Sequence, residues 1–145
     1  MPHHTILVGS DGTVIDIAVM VGPIMRQDLL SRGALPLQPV IIRALIDTGA
    51  DLTAIHPQIL EQFGGRPAGS ARIRRPGQSL GYQAVSLFEI QLSIGGVTPG
   101  VPWIPTRVVG VEPATPTVLA MIGRDVLKHC TLYYNGPRSE LTLSH

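Results

Sequence analysis

With 145 residues, 44% of them apolar and 14% charged, the chain is long enough to bury one core and too apolar to be a disordered tail. A formal charge of +1 gives no electrostatic reason to expect nucleic acid or an anionic membrane as partner. Cys130 is the single cysteine, which excludes an intrachain disulfide framework. No His or Cys pair has zinc-ligand spacing, so neither a metal nor a cofactor is expected.

Thirteen prolines and sixteen glycines, scattered along the chain, suit short strands and turns better than a helical bundle. Thr5 to Gly9 reads as a strand, Ser10-Asp11-Gly12 as a turn, and Thr13 to Val21 as a second β-branched run, together a hairpin. The apolar run Ile17 to Met25 is too short to span a bilayer and follows Asp16, and no charged-then-apolar leader is evident. A soluble, cytoplasmic protein is therefore expected. Gly22-Pro23 breaks the strand, and Ile24 to Ser31 suggests a short helix ended by Gly33. Pro36 and Pro39 favour an extended return. Val40 to Ile46 is a strand that runs into Asp47-Thr48-Gly49-Ala50-Asp51. His56-Pro57 opens a short helix through Phe63, with Gly64-Gly65 beyond its end.

Ala68 to Ser93 reads as a hairpin around Pro76-Gly77. Arg72, Arg74 and Arg75 near its tip are read as a solvated strand face, since no aromatics are interleaved with them. Gly95-Gly96 is a turn. Val101 to Val111 is a strand in which Pro102 and Pro105 imply an edge or irregular position, and Trp103 is expected to pack. Thr117 to Ile122 is an apolar strand leading into a short helix over Gly123 to Lys128. Leu132 to Asn135 and Leu141 to Leu143 flank Asn135-Gly136-Pro137 as a closing hairpin. No repeat or linker interrupts the chain, so residues 1–145 read as one mostly-β domain.

A strand that ends by presenting a carboxylate, then Thr, then Gly, is a chemically informative object. Thr can anchor a tight turn, and Gly admits a close backbone approach. The segment Ala44 to Asp51 resembles the active-site loop of the aspartic proteases, in their retropepsin-like branch. A second motif, Ala120-Met121-Ile122-Gly123-Arg124-Asp125, resembles the apolar-apolar-Gly-Arg segment of the same family, where retroviral members commonly carry Gly-Arg-Asn. The resemblance covers roughly Val40 to Leu132. Pro23 to Pro39 looks like an insertion, and the hairpin after Cys130 is similar to bacterial and ubiquitin-shuttle members.

The resemblance implies a single-lobe closed β-barrel with one or two short helices, active as a two-fold homodimer. Hydrolysis by this chemistry needs two carboxylates sharing one proton. Asp-Thr-Gly occurs once in the sequence, so a second copy would supply the other aspartate. On this reading Asp47 is catalytic, supported by Thr48, Gly49 and Ala50, with Thr48 bonding across the dimer. Asp51 and Arg124 form a structural ion pair, and Asp125 is a helix-start acid favoured by the local dipole. Arg74, Arg75, Pro76, Gly77, Gln78, Ser79 and Leu80 form the tip of a flap, with Arg-Pro-Gly-Gln where viral enzymes have a glycine-rich run. Ile55, Leu119, Ala120 and Met121 line apolar pockets for an extended peptide or unfolded protein. The competing expectation is a weakly active or inactive dimeric peptide-binding module of the same fold. A protease that becomes active only after maturation or in a larger assembly is a third.

Overall fold

The computed structural model describes residues 2–34, 38–63, 66–74, 81–112 and 115–145. Ten strands and three short α-helices follow in the order β1 (His3–Leu7), β2 (Val14–Val21), α1 (Pro23–Ser31), β3 (Val40–Ile46), β4 (Ala54–Ile55), α2 (Pro57–Gln62), β5 (Gly69–Ile73), β6 (Gln83–Ile94), β7 (Ile104–Gly110), β8 (Ala120–Ile122), α3 (Arg124–Leu127), β9 (Thr131–Asn135) and β10 (Glu140–Ser144). A 3-10 turn over Gly136–Arg138 joins the last two strands. α1 and α2 both begin with proline in the first turn, where a missing N–H costs nothing and the fixed φ suits a helix. No helix among the described residues is long and apolar enough to cross a membrane.

Six strands close a barrel in the order β2-β3-β8-β4-β7-β6, with β6 returning to β2, and β5 extends from β6 as an outer arm. Most neighbours are antiparallel, but β3 pairs with β8 and β4 with β7 in parallel. Inward residues alternate along the strands: Ile15, Ile17, Val19 and Val21 of β2 meet Ile90, Leu92 and Ile94 of β6 in one core cluster. Each such side chain, fully buried, stabilises the fold by about 1.5–3 kcal/mol relative to exposure. Shifting either strand by one residue would turn this row outward, so the register is strongly specified.

The expected hairpin of the first two strands does not form. A bridge between Gly9 and Gly12 marks the turn, but β1 leaves to pair with β10 and β2 pairs with β3 and β6. Burial decides this: Leu141 and Leu143 of β10 join the barrel core, which draws the C-terminal hairpin, and β1 along it, into a separate three-stranded sheet β1-β10-β9. Pro105 lies opposite Gln91 of β6. β4 meets β7 only at Val109 and Gly110, so the other side of the strand is unpaired at the proline and no ladder bond is lost. The strand anticipated from Thr117 is shorter, beginning at Ala120.

Candidate active site

β3 and β8 lie side by side at the barrel's end, with Ile46 opposite Ile122. Both chains turn immediately after this pair, which brings the Asp47 loop against the start of α3. The Asp47 N–H donates to the Ile122 carbonyl at 2.9 Å. The Gly49 N–H donates to Asp47 Oδ1 at 2.8 Å, and the Ala50 N–H to the Asp47 carbonyl at 3.3 Å. A Cβ at Gly49 would lie 3.1 Å from Asp47 Oδ1, so glycine leaves room for the carboxylate to fold back on its own turn. The Asp47 side chain is thus held at one oxygen while the residue remains partly exposed.

The loop is tied to α3 chiefly by backbone. The Arg124 N–H donates to the Ala50 carbonyl at 2.8 Å and the Asp125 N–H to the Asp51 carbonyl at 3.3 Å. A Cβ on Gly123 would stand 2.7 Å from the Leu52 carbonyl carbon and 3.0 Å from the Ala50 oxygen. Backbone lies against backbone here, and no side chain fits. The Arg124 guanidinium also pairs with the Asp51 carboxylate. Both side chains are largely exposed, 60% and 82%, so the pair is worth at most about 1 kcal/mol. The anticipated ion pair therefore exists, but it is an accessory to a hydrogen-bonded frame.

That frame is centred on two residues given no such role from the sequence. Thr53 is fully buried. Its hydroxyl donates to Asp125 Oδ1 at 2.7 Å and accepts from the Gly123 N–H at 3.0 Å. Its own N–H donates to Asp125 Oδ2 at 3.0 Å. Asp125 Oδ1 also accepts from the Val126 N–H at 2.9 Å. Asp125 sits in the first turn of α3, as expected, and also bridges the two motifs across 72 residues of sequence. The signal available in the sequence was a threonine at Thr53, in an otherwise apolar run, matched to the carboxylate after Gly-Arg.

Beside Asp47 a cleft of about 450 Å³ opens, floored by Leu52, Ala54, Val109, Val111 and Met121 and walled by Arg72, Ile73, Arg74 and Tyr82. Met121 lines it as expected. Ile55 and Ala120 do not: both are fully buried in the barrel, because alternate residues on β4 and β8 must face opposite ways. Leu119 is half-buried and lies outside the cleft lining. Ala54, Val109 and Val111 take their place, the first two contributed by the parallel β4–β7 pair and Val111 by the residue after β7. Arg74 stands at the cleft wall, and the remaining flap positions, Arg75 to Leu80, lie outside the described residues. Thr48 is exposed beside Asp47. Among the described residues, no three His, Cys, Asp or Glu side chains are grouped to hold a metal. Burial pushes the Cys130 thiol up from its ordinary value, which favours the protonated form.

No protein-family model and no curated protein sequence matches the chain. Among solved structures it is similar to a retropepsin-like aspartic protease from Rickettsia conorii, with a TM-score of 0.58 and 14% identity over 98% of this chain and 89% of that one. The chain has the retropepsin-like fold. The retroviral protease-like domain of Ddi1 from Leishmania major aligns over 92% of this chain and 90% of its own at 17% identity, with a TM-score of 0.48. Within the retropepsin-like fold, the Asp47 loop and the Gly123-Arg124 turn occupy adjacent strand ends, as the two sequence motifs imply.

Proposed function

We propose that the chain is an aspartic endopeptidase that works as a two-fold homodimer and cleaves extended, apolar peptide segments. The observation that carries this reading is the Asp47 carboxylate, steadied by the Gly49 N–H and set at the head of an apolar cleft. One such carboxylate cannot both activate a water and polarise a carbonyl. Two, brought together about the dimer axis, share a proton because like charges in contact do not both ionise. The ionised Asp47 takes a proton from water as that water attacks the scissile carbonyl carbon. The protonated Asp47 of the second copy donates to the carbonyl oxygen, and collapse of the tetrahedral species expels the amine, which leaves with a proton.

Thr48, exposed in one copy, bonds across the axis beneath the aspartates and keeps them coplanar. The terminal sheet supports dimerisation. Its edge strands β1 and β9 have unpaired backbone on their outer sides, and Leu7, Tyr133 and Tyr134 are 76%, 65% and 58% exposed, a combination suited to a second copy.

The test is hydrolysis of an apolar peptide library by the wild-type protein and by Asp47→Asn. The variant is expected to lose about 10²–10⁴-fold in rate, and statine-type inhibitors to block the wild type while chelators do not. Turnover by Asp47→Asn at the wild-type rate would reject the assignment. Peptide binding without turnover in the wild type would favour the inactive peptide-binding module. Sedimentation showing an active monomer would reject the shared site.

A further inference from the structure

The charges around the cleft are unevenly disposed. On the floor, the Asp51 carboxylate is already neutralised by Arg124, and Asp47 is committed to the turn at Gly49 and to the chemistry. On the wall, Arg72 and Arg74 are exposed and both line the cleft. None of the ion pairs among the described residues includes either of them. The arm therefore carries two exposed arginines at the rim of the groove. They flank Ile73 at the end of β5; Arg72 is paired with Ala84 of β6, and Arg74 follows directly after the strand.

Spacing adds a second argument. Residues two apart on an extended chain are separated by about 7 Å and project to one side. Arg72 and Arg74 stand two apart, and an extended peptide in the cleft repeats with the same period. Its alternate side chains would face the arm, and the intervening ones the apolar floor of Val109, Val111 and Met121. A guanidinium recognises a carboxylate with paired, charge-assisted hydrogen bonds.

We infer that Arg72 and Arg74 are specificity-determining residues that select peptides with an Asp or Glu side chain flanking the apolar scissile pair. This rests on the endopeptidase reading and names its substrate class: apolar residues toward the floor, acidic ones toward the arm. A lysine at the same position is disfavoured by repulsion.

Three peptides sharing one apolar scissile pair, with Glu, Gln or Lys at a flanking position, test it through their ratios of kcat/KM. For the wild type, Glu is expected to exceed Gln by about fivefold for each exposed arginine–carboxylate pair, with Lys slowest and the preference shrinking in high salt. In Arg72→Gln/Arg74→Gln the Glu-to-Gln ratio falls to one, in Arg72→Glu/Arg74→Glu the order inverts toward Lys, and Arg72→Lys/Arg74→Lys keeps the original order. Equal rates for the three peptides in the wild type, or a Glu preference that survives the double Gln change, would overturn the inference while leaving the endopeptidase reading intact. If no peptide is cleaved faster than by Asp47→Asn, the endopeptidase reading fails. Fluorescence anisotropy of the same peptides on Asp47→Asn then decides the inference separately: tighter binding of the Glu peptide supports it, and equal binding or none rejects it.

Discussion

The cradle beneath Asp47 and the junction that fastens the terminal sheet to the barrel both join segments distant in sequence, and they do so in opposite ways. In the cradle, the Thr53 hydroxyl and N–H, the Gly123 N–H and both Asp125 oxygens all have partners. At the junction, the His4 and His145 rings stack with centroids 5.6 Å apart, and His4 lies so close over Gly95 that a Cβ there would sit 2.1 Å from its ring. Among the described residues, the buried His4 Nε2 and both buried His145 ring nitrogens find no hydrogen-bond partner. A satisfied polar network fixes one geometry and leaves little for a proton to change, whereas unpartnered imidazoles respond to pH. The cradle is built for precision, and the junction for sensitivity.

The largest effect should come from overfilling the cradle. Gly123→Ala sets a methyl against the backbone of Leu52 and Ala50, which cannot step aside as a flexible side chain could. A loss of about 1–3 kcal/mol in unfolding free energy is expected, together with most activity. A urea midpoint equal to wild type would show that the two motifs are not tightly apposed.

Next in size is Thr53→Val, which keeps the shape but removes the hydroxyl. The Gly123 N–H then loses its acceptor and Asp125 one donor, for about 1–3 kcal/mol. Peptidase activity should fall further than the stability change explains, because the frame sets the Asp47 loop. Asp125→Asn preserves the size and one acceptor oxygen and should recover part of both readouts. If Thr53→Val were as stable and active as wild type, the frame would be incidental.

The smallest effect, and the one that separates the two regions, is with pH. Burial and then the neighbouring His4 charge hold the His145 imidazole below its ordinary value of 6.5. The unfolded chain therefore takes up a proton before the folded one does. Stability is full above about 6.5 and is lost progressively as the pH falls from there through the lowered folded value. Asp16 and Arg43 line the same groove as His4. Urea midpoints measured from about pH 8 to about pH 5 should decline for wild type and flatten in His145→Gln. A wild-type midpoint that rises on acidification would break the contrast between cradle and junction.

Some of this was legible without coordinates because the relevant signals are local. Proline at the first helical turn placed α2, the break at Gly22-Pro23 and the apolar residues after it placed α1, and the run Val40–Ile46 matched its strand residue for residue. Asp47-Thr48-Gly49 stood out by residue type, and Gly123-Arg124 with its pairing to Asp51 followed from the family resemblance. The pocket assignment of Ile55 and Ala120 failed for a physical reason. Both are apolar residues on strands, and only the barrel's closure reveals which face of β4 and β8 is turned to the core. The bond between Thr53 and Asp125 was not legible because a hydrogen bond between residues 72 apart leaves no mark on either neighbourhood.

The sequence by itself determined where the chain turns, which segments extend or coil, and which residues could supply a carboxylate. Those properties depend on a few consecutive φ and ψ angles and on side-chain period. The tertiary structure alone decided that β1 abandons β2 for β10, that β3 and β4 straddle β8, and that Arg72 and Arg74 line the same cleft as Asp47. Strand partners are chosen by the apolar area the whole chain can bury at once, and that sum is not a property of any one segment.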